Sequence, residues 1–446
     1  MGYEYTLIEQ KHDTNNHHSF NASNISGRPK IQRQFFLIVF MVFIVILYFG
    51  YSTKTLHPLV DNFAQKFGKT PPVFAVVIDA GSTGSRVLAY RFHRGYLDGR
   101  LILDDELFKQ SKPGLSSFAD DPKKGAQTIE NLLFLAKEVI PESYYSKTPV
   151  MVRATAGLRL LKQEQAENIL NAVREVINKS GFLVYEDAVE IMDGTDEGIM
   201  SWFTVNYLLG HLNGDTVAAL DLGGGSNQVT FAPSLNNLEK GTFGSHLMTV
   251  PSFKGNITVF TNSYLGLGLK AARHAVFTKN NGDSKSLSSP CINPIIKNKP
   301  WVYGNVEYSI SGTPLESKKL EVDWPKCRKL LADTLLPLVD PKPVGLEVQD
   351  IAAFSYFFDR ATGAGLIDPF LGGEITVGEF EKTAKAVCKT ANTDQPFMCF
   401  DLTFISVLLK DGFGLKPESN LKLLKKIDNH EISWALGCAY NMLNKQ

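Results

Sequence analysis

The sequence predicts an α/β protein built from two lobes. Its 446 residues are too many for one typical hydrophobic core, so two domains or lobes are expected. From residue 73 onward, apolar strand-like runs alternate with helix-like segments, which is the pattern of an α/β body. One strand-and-turn pattern also occurs twice, and it organises the rest of the prediction.

The first copy of this pattern is FAVVIDAGSTGSRVLAY, residues 74–90. The apolar run predicts a buried strand that ends at Asp79 and turns back at Val87. Glycines in the turn let backbone N–H groups approach an anion, hydroxyls add donors and Arg86 adds a fixed charge, so the turn suits phosphate. Asp79 would repel phosphate and suits a divalent cation or its water shell. The candidate phosphate-binding residues are Ser82, Thr83, Gly84, Ser85 and Arg86.

The second copy is TVAALDLGGGSNQVTF, residues 216–231. Alignment of the copies pairs Asp79 with Asp221, Gly81 with Gly223, and Arg86 with Gln228. Two such turns facing each other across a cleft would bind a phosphoanhydride and one metal ion between them. This arrangement predicts an enzyme. The phosphate-binding candidates of the second turn are Gly223, Gly224, Gly225 and Ser226.

Charge and missing motifs exclude several classes of protein. The chain has 46 basic and 46 acidic residues, so nothing favours nucleic acid or another strongly charged partner. It contains no GxxxxGK[ST], HExxH or GxSxG motif, which argues against P-loop NTPases, zincins and α/β-hydrolases. It also lacks the Asp-x-Asp pair common in metal-dependent glycosyltransferases.

The N-terminal region predicts a membrane anchor. Residues 1–34 are polar and predict a disordered tail, residues 35–51 are apolar and barely long enough to span a bilayer, and residues 52–72 form a stalk. A secretory signal peptide is the alternative, disfavoured by the long polar lead and the missing cleavage pattern. Arg28, Lys30 and Arg33 precede the span and keep the N-terminus cytosolic. The body then lies in a lumen or outside the cell.

Cysteines and glycosylation sequons agree with that compartment. All five cysteines follow residue 290, without CxxC spacing, and sequential pairing would form two disulfides in a luminal protein. Five reduced thiols in a cytosolic body are the alternative. The expected pairs are Cys291 with Cys327 and Cys388 with Cys399, leaving Cys438 free. Asn178 and Asn256 are the luminal sequons, whereas Asn21 and Asn24 would lie in the cytosol and remain unglycosylated.

Two turns between the copies supply catalytic candidates. Arg153 and Thr155 follow a predicted strand and could reach phosphate or the water shell of a metal, or simply stabilise a turn. Hydrolysis also needs a group that orients and deprotonates water. In the stretch 193–198, aspartates suit helix capping better than glutamate does, so Glu197 is the predicted general base.

Five segments resemble the apyrase motifs of the ecto-nucleoside triphosphate diphosphohydrolase family, in order along the chain. They are DAGSTGSR, RATAGLRLL, IMDGTDEG, ALDLGGGSNQ and SWALG. KPGLSSFADD and SYLGLGLKAAR make the chain most similar to the nucleoside diphosphatases of the Golgi and endoplasmic reticulum within that family.

This resemblance implies the actin and sugar-kinase type of fold, with ribonuclease H-like lobes. Lobe I would span residues 73–190, and residues 425–446 would return to it. Lobe II would span residues 191–424. The resemblance also implies residue roles. It assigns binding of Ca²⁺ or Mg²⁺ through water to Asp79 and Asp221, catalysis to Glu197 with support from Thr155 and Gln228, and nucleobase contacts to Tyr356, Phe357 and Phe358, where AFSYFFD departs from the triphosphatase pattern.

The implied activity is hydrolysis of UDP or GDP to the monophosphate, at a Golgi or endoplasmic reticulum membrane, in support of luminal glycosylation. The anchor would make it a type II protein, which cleavage in the stalk would release. A preference for diphosphates is expected because no further basic pocket was identified, and an aromatic stack predicts weak discrimination between bases. The alternatives are a broader apyrase, a phosphotransferase of the same fold and a catalytically silent nucleotide-binding protein. The sequence carries no signal for an oligomeric state.

Overall fold

The computed structural model describes residues 28–445 except 213, 240–242, 253–254, 280, 305 and 316–318. The chain divides into two compact units, Met1–Thr70 with Gly95–Asp98, and Pro71–Arg94 with Gly99–Gln446. Most of the predicted N-terminal tail lies outside the described residues, as do the sequons at Asn21 and Asn24.

The first unit contains two helices, α1 (Arg28–Ser52) and α2 (His57–Lys66). The stretch Arg33–Ser52 of α1 is long and apolar enough to cross a membrane. α1 begins at Arg28, seven residues before the predicted start of the span at residue 35. The polar residues before the span are therefore part of the same helix. α2 occupies the middle of the predicted stalk, where Pro58 in the first turn favours a helix start.

Lobe I is a five-stranded sheet in the order β3-β2-β1-β4-β5. β1, β2 and β3 are antiparallel neighbours, whereas β4 and β5 run parallel to β1. Its strands are β1 (Val73–Ala80), β2 (Ser85–Arg94), β3 (Leu101–Ser111), β4 (Pro149–Ala154) and β5 (Leu183–Ile191). Its helices are α3 (Pro122–Lys137), α4 (Ala156–Arg159) and α5 (Gln163–Asn178). Alternate residues of β1 face two different cores, which explains its continuous apolar sequence.

Lobe II repeats this plan. Its seven-stranded sheet has the order β14-β15-β13-β6-β7-β9-β8, and its middle five strands match those of lobe I in order and direction. The strands are β6 (Ala218–Leu222), β7 (Ser226–Phe231), β8 (Leu247–Ser252), β9 (Gly255–Leu265), β13 (Ile351–Ser355), β14 (Gly373–Thr376) and β15 (Asn420–Leu423). A separate small sheet contains β10 (Ser286–Ser289), β11 (Lys299–Tyr303) and β12 (Val306–Gly312). The helices are α6 (Gly194–Leu208), α7 (Leu235–Glu239), α8 (Leu269–Thr278), α9 (Trp324–Leu335), α10 (Tyr356–Gly363), α11 (Val377–Lys389) and α12 (Met398–Val407).

The end of the chain returns to lobe I. It forms β16 (Lys426–Ile427), β17 (His430–Glu431) and α13 (Trp434–Asn444), and α13 packs on β1 and α6. A Cβ at Gly437 would lie 2.7 Å from the carbonyl oxygen of Met200, so only glycine allows this close helix packing. The predicted two-lobed α/β fold is confirmed.

Both predicted disulfides are confirmed. Cys291 is bonded to Cys327, and Cys388 is bonded to Cys399. Cys438 is free and buried on α13. The sequon residues Asn178 and Asn256 are exposed, so their side chains are accessible for modification.

Candidate active site

The two glycine-containing turns face each other across a cleft of about 580 Å³. Strand pairing places Asp79 opposite Arg86 in lobe I and Asp221 opposite Gln228 in lobe II. A Cβ at Gly224 would lie 2.4 Å from the hydroxyl oxygen of Ser82, so the second turn approaches the first only because it lacks a side chain there. The repeated sequence pattern therefore builds two opposed walls of one cleft.

Most of the predicted site residues line this cleft. They are Asp79, Ser82, Thr83, Arg86, Thr155, Glu197, Asp221, Gly223, Gly224, Gly225, Ser226, Tyr356 and Phe358. The predicted residues outside the lining are Gly84, Ser85, Gln228 and Phe357. Ser85 is fully buried in β2, and Gln228 lies directly behind Glu197.

Glu197 lies on the first turns of α6. Asp193 caps this helix by accepting a hydrogen bond from the N–H of Thr195 at 2.7 Å, which leaves the buried Glu197 free to face the cleft. Its carboxylate is paired with Arg159 and accepts a hydrogen bond from Gln228 at 3.0 Å. Burial raises the pKa of Glu197 to about 8, although Arg159 opposes the rise. In its ionised form this carboxyl group can accept a proton from water, and the raised pKa makes that form a stronger base than the carboxylate of an ordinary glutamate.

The two aspartates occupy different electrostatic settings. One carboxylate oxygen of Asp79 accepts a hydrogen bond from Arg86 at 2.9 Å. For Asp221, burial is the main cause that raises the pKa to about 6, and a hydrogen bond with Ser355 lowers it. The negative charge of Asp79 also raises the pKa of Asp221. Two buried carboxylates that repel each other in this way favour a cation between them.

The acceptor groups of the cleft fit a divalent cation bound through water. Among the described residues, no three carboxylate, imidazole or thiol groups are arranged to ligate a metal directly. The second carboxylate oxygen of Asp79, which lines the cleft, is buried without a hydrogen-bond partner within that same part of the chain. The amide oxygen of Gln228, which lies outside the lining, is also buried without such a partner there. Mg²⁺ retains several waters and prefers oxygen ligands, and Ca²⁺ also takes oxygen ligands and waters.

The sequence analysis missed two supports of the predicted base. Arg159 binds Glu197, and Ser263 accepts a hydrogen bond from Gln228 at 2.9 Å. Gln228 also donates to Ser226 at 2.8 Å, so its amide group joins three polar side chains. Both missed residues lie within segments that carry the family resemblance. A search of those segments for a basic partner of the buried Glu197 would have pointed to Arg159.

The sequence analysis also missed basic residues of the cleft, which are Arg360, Lys425 and two lysines from opposite lobes. Lys112 from lobe I and Lys270 from lobe II both line the cleft. Burial lowers the pKa of Lys270, and the positive charges of Arg273, Lys112 and Arg86 lower it further. The expectation of no further basic pocket was wrong, because the two lysines are 158 positions apart in the sequence and meet only in the fold.

The expected nucleobase contact of Phe357 is not supported, and Arg153, for which both a phosphate contact and a structural role were open, has structural partners. Phe357 has no exposed surface and packs in the core of lobe II, because the start of α10 directs it away from the cleft. It has no free face for a nucleobase, whereas Tyr356 reaches Thr83 through a side-chain hydrogen bond. Arg153 pairs with Asp187 and Glu190 of β5, so it stabilises the sheet.

Comparisons with known proteins agree with this geometry. The chain is 41% identical over 382 residues to nucleoside diphosphate phosphatase ENTPD5 of Homo sapiens, covering 83% of this chain and 87% of that protein. It is 42% identical over 381 residues to ectonucleoside triphosphate diphosphohydrolase 6 of Rattus norvegicus, covering 83% and 82%. The crystal structure of nucleoside triphosphate hydrolases from Neospora caninum shares the fold, with a TM-score of 0.57 and 14% identity over 88% of this chain and 97% of that chain. A model of the GDA1/CD39 (nucleoside phosphatase) family matches residues 66–446, and the chain therefore belongs to that family.

Proposed function

We propose that this protein hydrolyses nucleoside diphosphates, UDP and GDP first, to the monophosphate and inorganic phosphate with Mg²⁺ or Ca²⁺. The observation that carries the proposal is the buried Glu197 in a cleft whose walls are two opposed phosphate-type turns. The similarity to the human protein named nucleoside diphosphate phosphatase supports the substrate class.

In this proposal the turn at Ser82 and Thr83 and the turn at Gly223–Ser226 hold the phosphoryl group that leaves. Glu197 accepts a proton from the attacking water, while Arg159 and Gln228 fix its orientation. Thr155 adds a hydroxyl at the same wall. A bound cation, held through water by Asp79 and Asp221, would neutralise charge on the phosphates.

The phosphate that stays with the product needs its own partners. Lys112 and Lys270 are suited to that position because they line the same cleft as Arg86, from opposite lobes. A nucleobase would meet Tyr356, which also lines the cleft and offers a ring face. The similarity to the human protein named nucleoside diphosphate phosphatase is the reason to expect that diphosphates are hydrolysed faster than triphosphates.

The location is part of the proposal. α1 would anchor a type II protein in the Golgi or endoplasmic reticulum membrane, with the catalytic body in the lumen. The two disulfides support an oxidising compartment. There the enzyme would clear UDP or GDP left by glycosyl transfer.

Phosphate release by the purified full-length protein tests the proposal. UDP, GDP, ADP, CDP and the matching triphosphates would be assayed with Mg²⁺, with Ca²⁺ and with a chelator. The expected result is metal-dependent release that is fastest for UDP and GDP. A preference for ATP over every diphosphate would contradict the substrate class. A requirement for an acceptor would identify a phosphotransferase, and no release at all would identify a nucleotide-binding protein.

A further inference from the structure

Helix α2 exposes an apolar stripe that the catalytic body does not explain. Leu59, Phe63 and Phe67 are 66%, 65% and 64% exposed. They are spaced four residues apart along the helix and its C-cap, so they lie on one face. The rings of Phe63 and Phe67 are 4.6 Å apart, which makes the stripe continuous.

The opposite face of α2 already has a partner. Asp61 and Ala64 are buried, and Asp61 accepts a hydrogen bond from the N–H of Tyr96 at 2.7 Å. His57 contacts Asp98 at 3.4 Å. The loop Gly95–Asp98, which joins β2 to β3, therefore covers one side of α2. The apolar stripe lies on a different side of the helix.

Side-chain packing and hydrogen bonds also hold the corner between α1 and α2. Leu56 packs against Gly50, where a Cβ would lie 2.7 Å from the Leu56 side chain. The N–H of Leu56 bonds to the carbonyl oxygen of Gly50 at 3.2 Å, and the Thr53 hydroxyl bonds to the carbonyl oxygen of Phe49 at 2.8 Å. Only four residues therefore separate α2 from the apolar helix, and they form a hydrogen-bonded corner.

We propose that α2 lies flat in the interface of the membrane that α1 crosses, with Leu59, Phe63 and Phe67 among the acyl chains. The bilayer is the apolar surface that α1 brings within reach of the stripe, because α2 begins at a hydrogen-bonded corner next to α1. The exposed Lys66 and Lys69 suit the headgroup layer beside it. The inference rests on the anchoring part of the proposed function and is independent of the hydrolysis. Through Asp61 and His57, α2 would hold the loop Gly95–Asp98 at the membrane surface.

Labelled cysteines in the full-length protein test this orientation. Phe63→Cys lies on the stripe, and Asn62→Cys lies at a position that is also exposed but about 100° around the helix. The native cysteines are disulfide-bonded or buried, so a polarity-sensitive fluorophore would label the new one. In phosphatidylcholine vesicles we expect blue-shifted emission at position 63 and several-fold stronger quenching by brominated lipid than at position 62.

Equal quenching at the two positions, or none at position 63, would overturn the proposal. A blue shift at position 63 that brominated lipid does not quench would also overturn it, because a second copy or a protein partner would then cover the stripe. A variant with Leu59→Gln, Phe63→Gln and Phe67→Gln provides a second measurement. Amide hydrogen exchange of residues 56–70 in vesicles should become at least several-fold faster, whereas phosphate release from UDP should stay unchanged. Unchanged exchange would contradict the membrane contact, and the proposed hydrolysis is assessed separately by phosphate release from the parent protein.

Discussion

The turns of lobe I and lobe II share a backbone plan and differ in the residue opposite the aspartate. Asp79 faces Arg86, which donates to it at 2.9 Å. Asp221 faces Gln228, whose amide group instead binds Glu197, Ser226 and Ser263. A repeated structural unit has therefore diverged, so that one copy carries a positive charge and the other organises hydrogen bonds.

This difference indicates a division of labour within the cleft. The lobe I turn is equipped for the negative charge of phosphate, because Arg86 lines the cleft beside Ser82 and Thr83. We expect the lobe II turn to position the attacking water in addition to binding phosphate, because Gln228 holds the carboxylate of Glu197. The first predictions test this assignment and the last one compares the two lobes at a buried strand position, in order from the largest expected effect to the smallest.

Removal of the base should have the largest effect. Glu197→Gln keeps the size of the side chain but cannot accept the proton, so kcat should fall by about 10²–10⁴-fold with little change in KM. Steady-state kinetics with UDP would measure both parameters. Asp196→Asn, at the exposed neighbouring position, is the matched control and should keep nearly full activity. A loss of substrate binding as large as the loss of turnover would instead assign Glu197 to the structure of the cleft.

Exchange of the two diverged residues should give unequal effects. Gln228→Arg replaces a hydrogen-bond hub by a second cation beside Arg159, so kcat should fall by about 10–100-fold. Arg86→Gln removes a charge that faces phosphate, so KM for UDP should rise by about 10-fold.

Kinetics of both variants on UDP provide the measurement. The assignment requires that the lobe II exchange acts mainly on kcat and the lobe I exchange mainly on KM. If both exchanges change the same parameter to the same extent, the two turns are functionally equivalent and the proposed division is wrong.

The sequence allowed the two turns and the fold to be predicted because their signals are local. A strand ending in aspartate and glycines, as at Asp79 and Asp221, needs no distant residue to be recognised. Arg159 and Lys270 were missed as site residues because their partners come from other elements, and only the fold joins Arg159 to Glu197. The nucleobase contact expected of Phe357 was wrong for a related reason. Adjacent aromatics at the junction of a strand and a helix have the same sequence pattern whether they face the cleft or the core.

Metal dependence should separate the two aspartates. Asp79→Asn and Asp221→Asn each remove a charge near the cation, so each should raise the Mg²⁺ concentration for half-maximal activity, by about 10-fold. The increase should be larger for Asp221→Asn, because Arg86 already offsets the charge of Asp79 and no ion-pair partner of Asp221 occurs among the described residues. Titration of UDP hydrolysis with Mg²⁺ measures this. Unchanged metal dependence in both variants would rule out a cation between these residues.

The smallest expected effect concerns a buried carboxyl group that lobe II lacks. Gln110 and Ser263 occupy matching positions opposite Arg86 and Gln228. Four residues before them lie Glu106 in lobe I and the fully buried Val259 in lobe II. The same strand position therefore holds a titratable group in one lobe and an apolar group in the other.

Burial raises the pKa of Glu106 to about 7. A hydrogen bond from the N–H of Glu431 lowers this pKa, the negative charges of Glu431 and Asp105 raise it, and Lys426 lowers it. Between about pH 4.5 and pH 7 the folded protein keeps a proton that the unfolded chain has lost. Its free energy of unfolding therefore decreases as the pH rises through this window.

Glu106→Gln should remove this decrease. The amide oxygen can still accept from the N–H of Glu431, as the carboxylate does at 2.5 Å, and the amide nitrogen would face the His430 ring nitrogen that lies 3.9 Å from the carboxylate. At pH 8 the variant should be more stable by on the order of 2–3 kcal/mol, whereas near pH 4.5 the two proteins should be about equal. Denaturant unfolding at both pH values measures the difference, with Glu175→Gln on the exposed face of α5 as the control. Equal stability at pH 8 would mean that Glu106 is ionised in the folded protein without penalty, and that the two lobes tolerate charge and apolar groups alike at this position.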